Sequence, residues 1–265
     1  TGQRTIMGIL AADGLGIPLN MVSVQIGSSL LPVGPGSGGS VTAPNTAPAM
    51  MAASEDARAK FLEEVAKMAG AEAAKLSIKD GKVMRDGAAL MSFAEACRKL
   101  PVESITGRGE WGRGRGEAGQ GHSHGAQFAE VEVDTETGVI RVKRIVAIQA
   151  AGRIICRKTA ESQVIGGVIQ GVSYALFEDR VLDRNVGAMV NANMEWYKLI
   201  GPNDMPHIEP VLWTRGQQTG VRSIGEPPHV PTAGAVACAV FNAIGKPVRH
   251  LPMTPDKVLA ALEGA

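Results

Sequence analysis

The sequence predicts an α+β fold, with mixed or antiparallel sheets and helices packed on them. Three observations carry this expectation. Phe128 to Val133 and Val139 to Ile148 are apolar, β-branched runs on either side of Asp134-Thr135-Glu136-Thr137-Gly138, the pattern of a β-hairpin. Leu76 to Met84 reads as a second hairpin turning at Lys79-Asp80-Gly81-Lys82. The helical segments lie between hairpins and do not alternate regularly with single strands, so a doubly wound α/β sheet is not expected. The chain has 265 residues, enough for one large domain or two small ones. It shows no clear internal repeat and no linker long enough to separate independent domains.

Composition narrows the function classes. There are 27 basic and 26 acidic residues, a formal net charge of +1, which argues against a nucleic-acid partner. No run of 18 apolar residues indicates a membrane span. Cys97, Cys156 and Cys238 are widely spaced and form neither a CxxC pair nor a zinc-like cluster. His122 and His124 can share one face of a strand, but no third ligand stands near them, so no metal ligand is assigned. With 33 glycines and 4% aromatics, tight turns and close backbone approach are expected to matter more than aromatic stacking. The chain lacks an initiator Met and a signal-peptide pattern, and reads as a piece or processed form of something longer.

In chain order, Thr5 to Leu15 has the apolar spacing of an amphipathic helix that ends at Gly14-Leu15-Gly16. Met21 to Ile26 alternates as a strand would. Gly34 to Pro44 is a glycine-rich loop, followed by a long helix from about Asn45 to Ala69. A loop of this kind before a helix can cradle an anion with free backbone N–H groups, and Ser40 and Thr42 add hydroxyls. It is neither a P-loop nor a dinucleotide fingerprint, and a plain surface loop remains the other reading. Ser92 to Leu100 opens with a capping box, Ser92 and Glu95. Gly107 to Gly116 holds three arginines among glycines; the opposing Glu110 and Glu117 favour a solvated linker over an anion contact.

Thr159 to Ala175 is helical despite Gly166, Gly167 and Gly171. Each interior glycine costs about 1 kcal/mol relative to Ala, so something must approach this helix closely. Two candidates are a ligand near Gln163 and Gln170, or tight packing on a sheet. Asn191 to Lys198 reads as an edge strand, Pro202 to Pro206 as a loop and Ile208 to Trp213 as a strand. A helix is expected over Thr232 to Ile244, a short strand after Lys246-Pro247, and a last helix from Thr254 to Leu262.

The candidate catalytic residue is Glu226, in Ile224-Gly225-Glu226-Pro227-Pro228. Gly225 permits close approach, and Pro227 drives Glu226 toward an extended backbone. A rigidly presented carboxylate among apolar neighbours suits a general base. The competing reading is a helix-start acid favoured by the helix dipole.

Taken together, these segments resemble the second, C-terminal cofactor-binding region of the xanthine dehydrogenase/aldehyde oxidase family of molybdenum hydroxylases. The resemblance runs nearly end to end. It rests on Gly2-Gln3 with its helix, Gly39-Ser40-Val41-Thr42, the hairpin from Ala129 to Gly138, Gln163 to Gly171, Tyr197-Lys198, and Ile224 to Pro228. It implies two similar subdomains, about 1–120 and 121–265. It implies that a molybdopterin, in its cytosine dinucleotide form, holds molybdenum with no protein ligand to the metal. Glu226 stands where the family has its general base. Gly2, Gln3, Gly38, Gly39, Ser40, Val41, Thr42, Gln163 and Gly225 stand where it contacts the cofactor. Partners implied are the remainder of a large subunit and domains or subunits carrying 2Fe-2S clusters and FAD, with a small-molecule substrate, in the cytoplasm or the periplasm. The chain departs from the family at Ile155-Cys156-Arg157 and at Ala150. Alone it is expected to have no turnover; the alternative is a non-catalytic assembly module that binds partner subunits.

Overall fold

The structure, a computed structural model, describes residues 2–110, 123–214 and 220–264. The chain divides into two compact units. The first is Thr1–Gly121 with the short returns Arg153–Cys156 and Gln218–Arg222; the second is His122–Gly152, Arg157–Gln217 and Ser223–Ala265.

In the first unit, helix α1 (Gln3–Leu15) stops where Gly16 takes a left-handed backbone and its N–H returns to the carbonyls of Ala12 and Asp13. Helix α2 (Thr42–Ala69) stops the same way at Gly70. The two helices touch closely: a Cβ on Gly14 would stand 2.6 Å from Ser54 Cβ. Strands β1 (Leu76–Lys79), β2 (Lys82–Arg85) and β3 (Ala88–Ser92) form an antiparallel sheet in that order. Its turns are Asp80-Gly81 and Asp86-Gly87, with both residues of each at positive φ as a tight hairpin turn demands. The third strand was not foreseen, although the second Asp-Gly pair announced it. Helix α3 (Phe93–Lys99) follows, with Ser92 Oγ accepting from the Glu95 N–H at 3.1 Å. Phe61, Val65 and Ala66 of α2 bury the alternating Leu76 and Ile78 of β1, with Val83 and Ala96.

Two expectations in this unit need correction. Met21 to Ile26 joins no sheet: Leu19–Met21 is a 3₁₀ turn and no strand follows it. Alternation supplies a local preference, but a ladder needs a partner that the pattern does not specify. The segment around Gly107 is no solvated linker over 106–109. It lies along α2, with Arg108 N–H donating to Asp56 Oδ2 at 2.7 Å and Lys60 Nζ donating to the Thr106 carbonyl at 3.1 Å. Gly107 and Gly109 are needed there, because a Cβ on either would come within 2.1 Å of an α2 carbonyl. The rest of that stretch, with Arg113 and Arg115, lies outside the described residues, as does His122.

In the second unit, β4 (His124–Val133) and β5 (Ile140–Ala150) form the expected antiparallel hairpin. Helix α4 (Arg157–Leu176) crosses the sheet. A short ribbon, β6 (Leu182–Asp183) and β7 (Ala188–Met189), precedes β8 (His207–Trp213), which pairs parallel to β5. The main sheet is thus mixed, in order β4-β5-β8. Helices α5 (Thr232–Ile244) and α6 (Pro255–Glu263) complete the unit. The core joins Ile145 and Ala147 of β5 to the i, i+4, i+8 face of α4, Val164, Val168 and Val172, and to Val236 and Val240 of α5. Val142 and Ile145 both reach this core although three residues apart. The register shift between Glu130 and Val131 leaves Lys143 unopposed, and this bulge resets the phase of β5.

The expected strand at Asn191 to Lys198 is a run of turns. Asn191 accepts from the Val181 N–H and donates to the Asp179 carbonyl, and Asn193 accepts from the Trp196 N–H. Asparagine amides here take the backbone partners that a strand would have used. No strand forms after Pro247; Pro247 and Pro252 remove two ladder donors. Pro202–Asp204 is a 3₁₀ turn within the expected loop. Among the described residues no helix is long and apolar enough to cross a membrane, and no cluster of His, Cys, Asp and Glu is arranged to hold a metal.

Candidate active site

The predicted site residues fall into two groups, one in each unit. In the first unit, Gly2 precedes α1 in a left-handed conformation, with no side chain capping the helix. Gly38–Ser40 forms a 3₁₀ turn in which Gly39 (φ 70°) and Ser40 (φ 57°) both have positive φ, and α2 begins two residues later, again without a side-chain cap. Gln3 Nε2 donates to Thr46 Oγ1 at 3.0 Å, joining the first turn of α1 to the start of α2. Gly14 meets Ser54 farther along, so the two helices run in the same sense and their N-termini converge. Gly2, Gln3 and the 38–42 turn are thereby brought to one place, where uncapped N–H groups and two helix dipoles favour an anion. Thr42 Oγ1 donates to the Gly36 carbonyl at 3.1 Å and closes the loop on itself.

The second group surrounds Glu226. Its carbonyl accepts from the His229 N–H at 3.0 Å, forming a turn that ends before Thr232, the first residue of α5. Glu226 is therefore not in the first turn of a helix, which removes the helix-start reading. The segment is instead held through its backbone carbonyls. Gln163 Nε2 of α4 donates to Gly225 O at 2.7 Å, Gln127 Nε2 of β4 to Pro228 O at 2.5 Å, and Tyr174 Oη of α4 to His229 O at 2.7 Å. Ser123 Oγ donates to Ser223 O. Pro228 and Thr232 are fully buried, while Glu226 itself is exposed. Burial pushes the Tyr174 phenol above its ordinary value, helped by the nearby Glu178 carboxylate, so it stays a donor through the neutral range.

The α4 glycines explain how the segment fits. A Cβ on Gly167 would stand 2.8 Å from Pro228 Cβ, and one on Gly171 only 2.3 Å from Thr232 Cβ. What approaches α4 is neither a sheet nor a ligand at these two glycines, but the Glu226 segment and the start of α5. Gln127, Tyr174 and Thr232 were not singled out from the sequence. The glycine pair four residues apart was the available signal, because it requires a close neighbour without naming it. Tyr197 and Lys198 lie in the second unit, where Tyr197 Oη donates to Glu178 Oε2 at 2.8 Å and Lys198 Nζ sits 5.0 Å above the Phe177 ring.

The profile of the molybdopterin cofactor-binding domain family matches residues 1–206. The chain belongs to that family. This cofactor-binding domain is 35% identical, over 99% of its length, to the aldehyde oxidoreductase molybdenum-binding subunit of Escherichia coli strain K12, and covers 35% of that protein. To the nicotine 6-hydroxylase large subunit of Paenarthrobacter nicotinovorans it is 29% identical over 99% of its length, covering 34%. It shares its fold with quinoline 2-oxidoreductase from Pseudomonas putida 86, at TM-score 0.83 and 22% identity over 99% of this chain and 35% of the other. The domain thus spans about a third of the length of the curated relatives it matches.

The residues present fit a molybdopterin. In the 34–40 loop of this cofactor-binding domain, a Cβ on Gly34, Gly36 or Gly38 would meet nothing within 4 Å. The backbone there is open to a large ligand, beside two uncapped helix N-termini suited to its phosphate. Gln3, at the same convergence of N-termini, adds an amide group.

Proposed function

We propose that this domain supplies the catalytic base, Glu226, and part of the cofactor cradle of a molybdenum hydroxylase. The enzyme oxidises an aldehyde or an N-heterocycle with water as the source of oxygen. Relatives named as aldehyde oxidoreductase, xanthine dehydrogenase and nicotine 6-hydroxylase subunits support the reaction class. The observation that carries the role of Glu226 is the clamp on its backbone from β4 and α4. Such a clamp presents one exposed carboxylate at a defined angle, which general-base chemistry requires.

On this reading Gly2, Gln3 and the 38–42 turn bind the pterin and its phosphates, while Gln163 and Gly225 hold the cofactor side of the Glu226 segment. When bound, the cofactor supplies a Lewis-acidic molybdenum centre and the two-electron oxidation. A carboxylate oxygen of Glu226 takes the proton of the water that enters the product. The cofactor is in its cytosine dinucleotide form. The electrons leave through 2Fe-2S clusters and FAD on other domains or subunits, in a cytoplasmic assembly that includes the remainder of the large subunit.

Glu226→Gln in the assembled enzyme is expected to lower kcat about 10²- to 10⁴-fold with molybdenum content unchanged. Near-parental turnover would remove Glu226 from the chemistry. Mass spectrometry of the complex purified through this chain should show near-stoichiometric molybdenum and acid-released CMP. A complex with all its partners and no molybdenum would favour an assembly module.

A further inference from the structure

We infer that Thr232 and Gln127 are positioning residues for Glu226, acting through one hydrogen-bonded relay; this rests on the reading of Glu226 as base. Thr232 opens α5, where a threonine hydroxyl commonly satisfies helix N–H groups. Here the N-cap is Pro231, which has no side-chain acceptor, and the Thr232 hydroxyl turns to Gln127 and Pro228 instead. The hydroxyl has one proton and two acceptors in reach, Gln127 Oε1 at 2.7 Å and Pro228 O at 3.3 Å, and the shorter contact takes it. A hydroxyl can also accept, so it is Pro228 O, an acceptor only, that settles which way the Gln127 amide faces. Its Nε2 must then point at Pro228 O, which it reaches at 2.5 Å. A flipped amide would set Oε1 against that carbonyl oxygen, two acceptors with no proton between them. The relay therefore ties the residue two positions after Glu226 to strand β4 in one orientation.

The surroundings make the relay hard to replace. Thr232 and Pro228 are fully buried, so no water stands ready to substitute for the hydroxyl. Gly171 and Gly167 of α4 hold them from the other side. Gln163 and Tyr174 anchor Gly225 and His229, which flank the same turn. Loss of the Thr232 hydroxyl leaves the Gln127 Oε1 without that donor, loosens the amide and lets the 226–229 turn shift while both ends stay attached. The carboxylate is one side chain beyond that turn, and a misplacement near 1 Å costs about 10²-fold in a positioned reaction.

The test uses the complete enzyme complex with Thr232→Val, Thr232→Ser, Gln127→Leu and Glu226→Gln. Valine keeps the shape and removes the hydroxyl; serine keeps the hydroxyl. Thr232→Val and Gln127→Leu are expected to lower kcat per molybdenum about 10- to 100-fold with KM within about twofold, and Thr232→Ser to stay within about threefold of parent. In the cofactor-free complex, amide exchange over residues 223–232 should quicken in the valine and leucine variants and not in the serine variant. Parental kcat and exchange in Thr232→Val, with Glu226→Gln inactive, would overturn the relay and leave the base assignment standing. Molybdenum loss with unchanged kcat per molybdenum would reduce Thr232 to a structural role and equally overturn it. Full activity in Glu226→Gln would overturn the base assignment itself, whatever the other variants do.

Discussion

Three glycines on α4 look alike in the sequence and differ in what a methyl group would meet. Gly166 faces open space, with nothing within 4 Å of its Cβ position. Gly166→Ala should therefore raise stability by about 0.5–1 kcal/mol through helix propensity and a less flexible unfolded chain. Gly171→Ala should lower it by about 1–3 kcal/mol, because the added carbon stands 2.3 Å from Thr232 Cβ and one backbone must give way. Thermal melting of the complete protein with each substitution checks the pair; equal shifts would mean that α5 yields easily at Thr232. The sequence reading recognised that some close approach was needed here and offered a ligand or a sheet. It could not choose, because a glycine records that space is required and says nothing of the occupant.

At the scale of elements, local signals were reliable wherever the chain satisfies its own backbone. Both hairpins, the Ser92 cap and the left-handed helix stops at Gly16 and Gly70 were placed by short-range chemistry. The failures, Met21 to Ile26 and Asn191 to Lys198, are segments whose alternation had no partner or whose asparagines turned the chain back. The 106–109 strap along α2 is a third case, since its attachment depends on Asp56, some fifty residues earlier. Hydrogen bonds from Lys60 and from the Arg108 N–H hold the Asp56 carboxyl below the usual aspartate range. A lowered native pKa stabilises the attached strap above the ordinary aspartate pKa, and that contribution is lost as pH falls through the lowered value. The protection of amides 105–109, relative to their intrinsic exchange rate at each pH, should accordingly fall below the ordinary aspartate range, and Asp56→Asn should show the lower protection already at neutral pH. The site is exposed, so added salt should weaken the Lys60 part of the effect.

For the whole molecule, the domain spans about a third of the relatives it matches and carries its two groups of site residues in separate compact units. On the proposed reading this third supplies the base and only part of the cofactor cradle, the remainder belonging to the rest of the large subunit. The isolated chain should therefore show no oxidation of aldehydes or N-heterocycles in a dye-coupled assay, while the complex purified through the same chain turns over. Activity of the isolated chain would show that this third is a sufficient catalytic unit. Each unit has its own three-stranded sheet with helices, the first wholly antiparallel and the second mixed.

Residue order was enough to place the helices and both hairpins and to single out the glycine-rich loop and Glu226 as candidates, since each rests on turn chemistry, periodicity or a run of neighbouring residues. The resemblance of ordered motifs along the chain then pointed to the cofactor. Folding in three dimensions added what no neighbourhood in the sequence contains. Gln3 meets Thr46, so that two helix N-termini converge. Gln127 and Thr232, about a hundred residues apart, share one proton and hold the turn that presents Glu226. A hydrogen bond across such a separation is specified by packing of the whole unit: buried polar groups must find partners, and which ones they find depends on where the core places them.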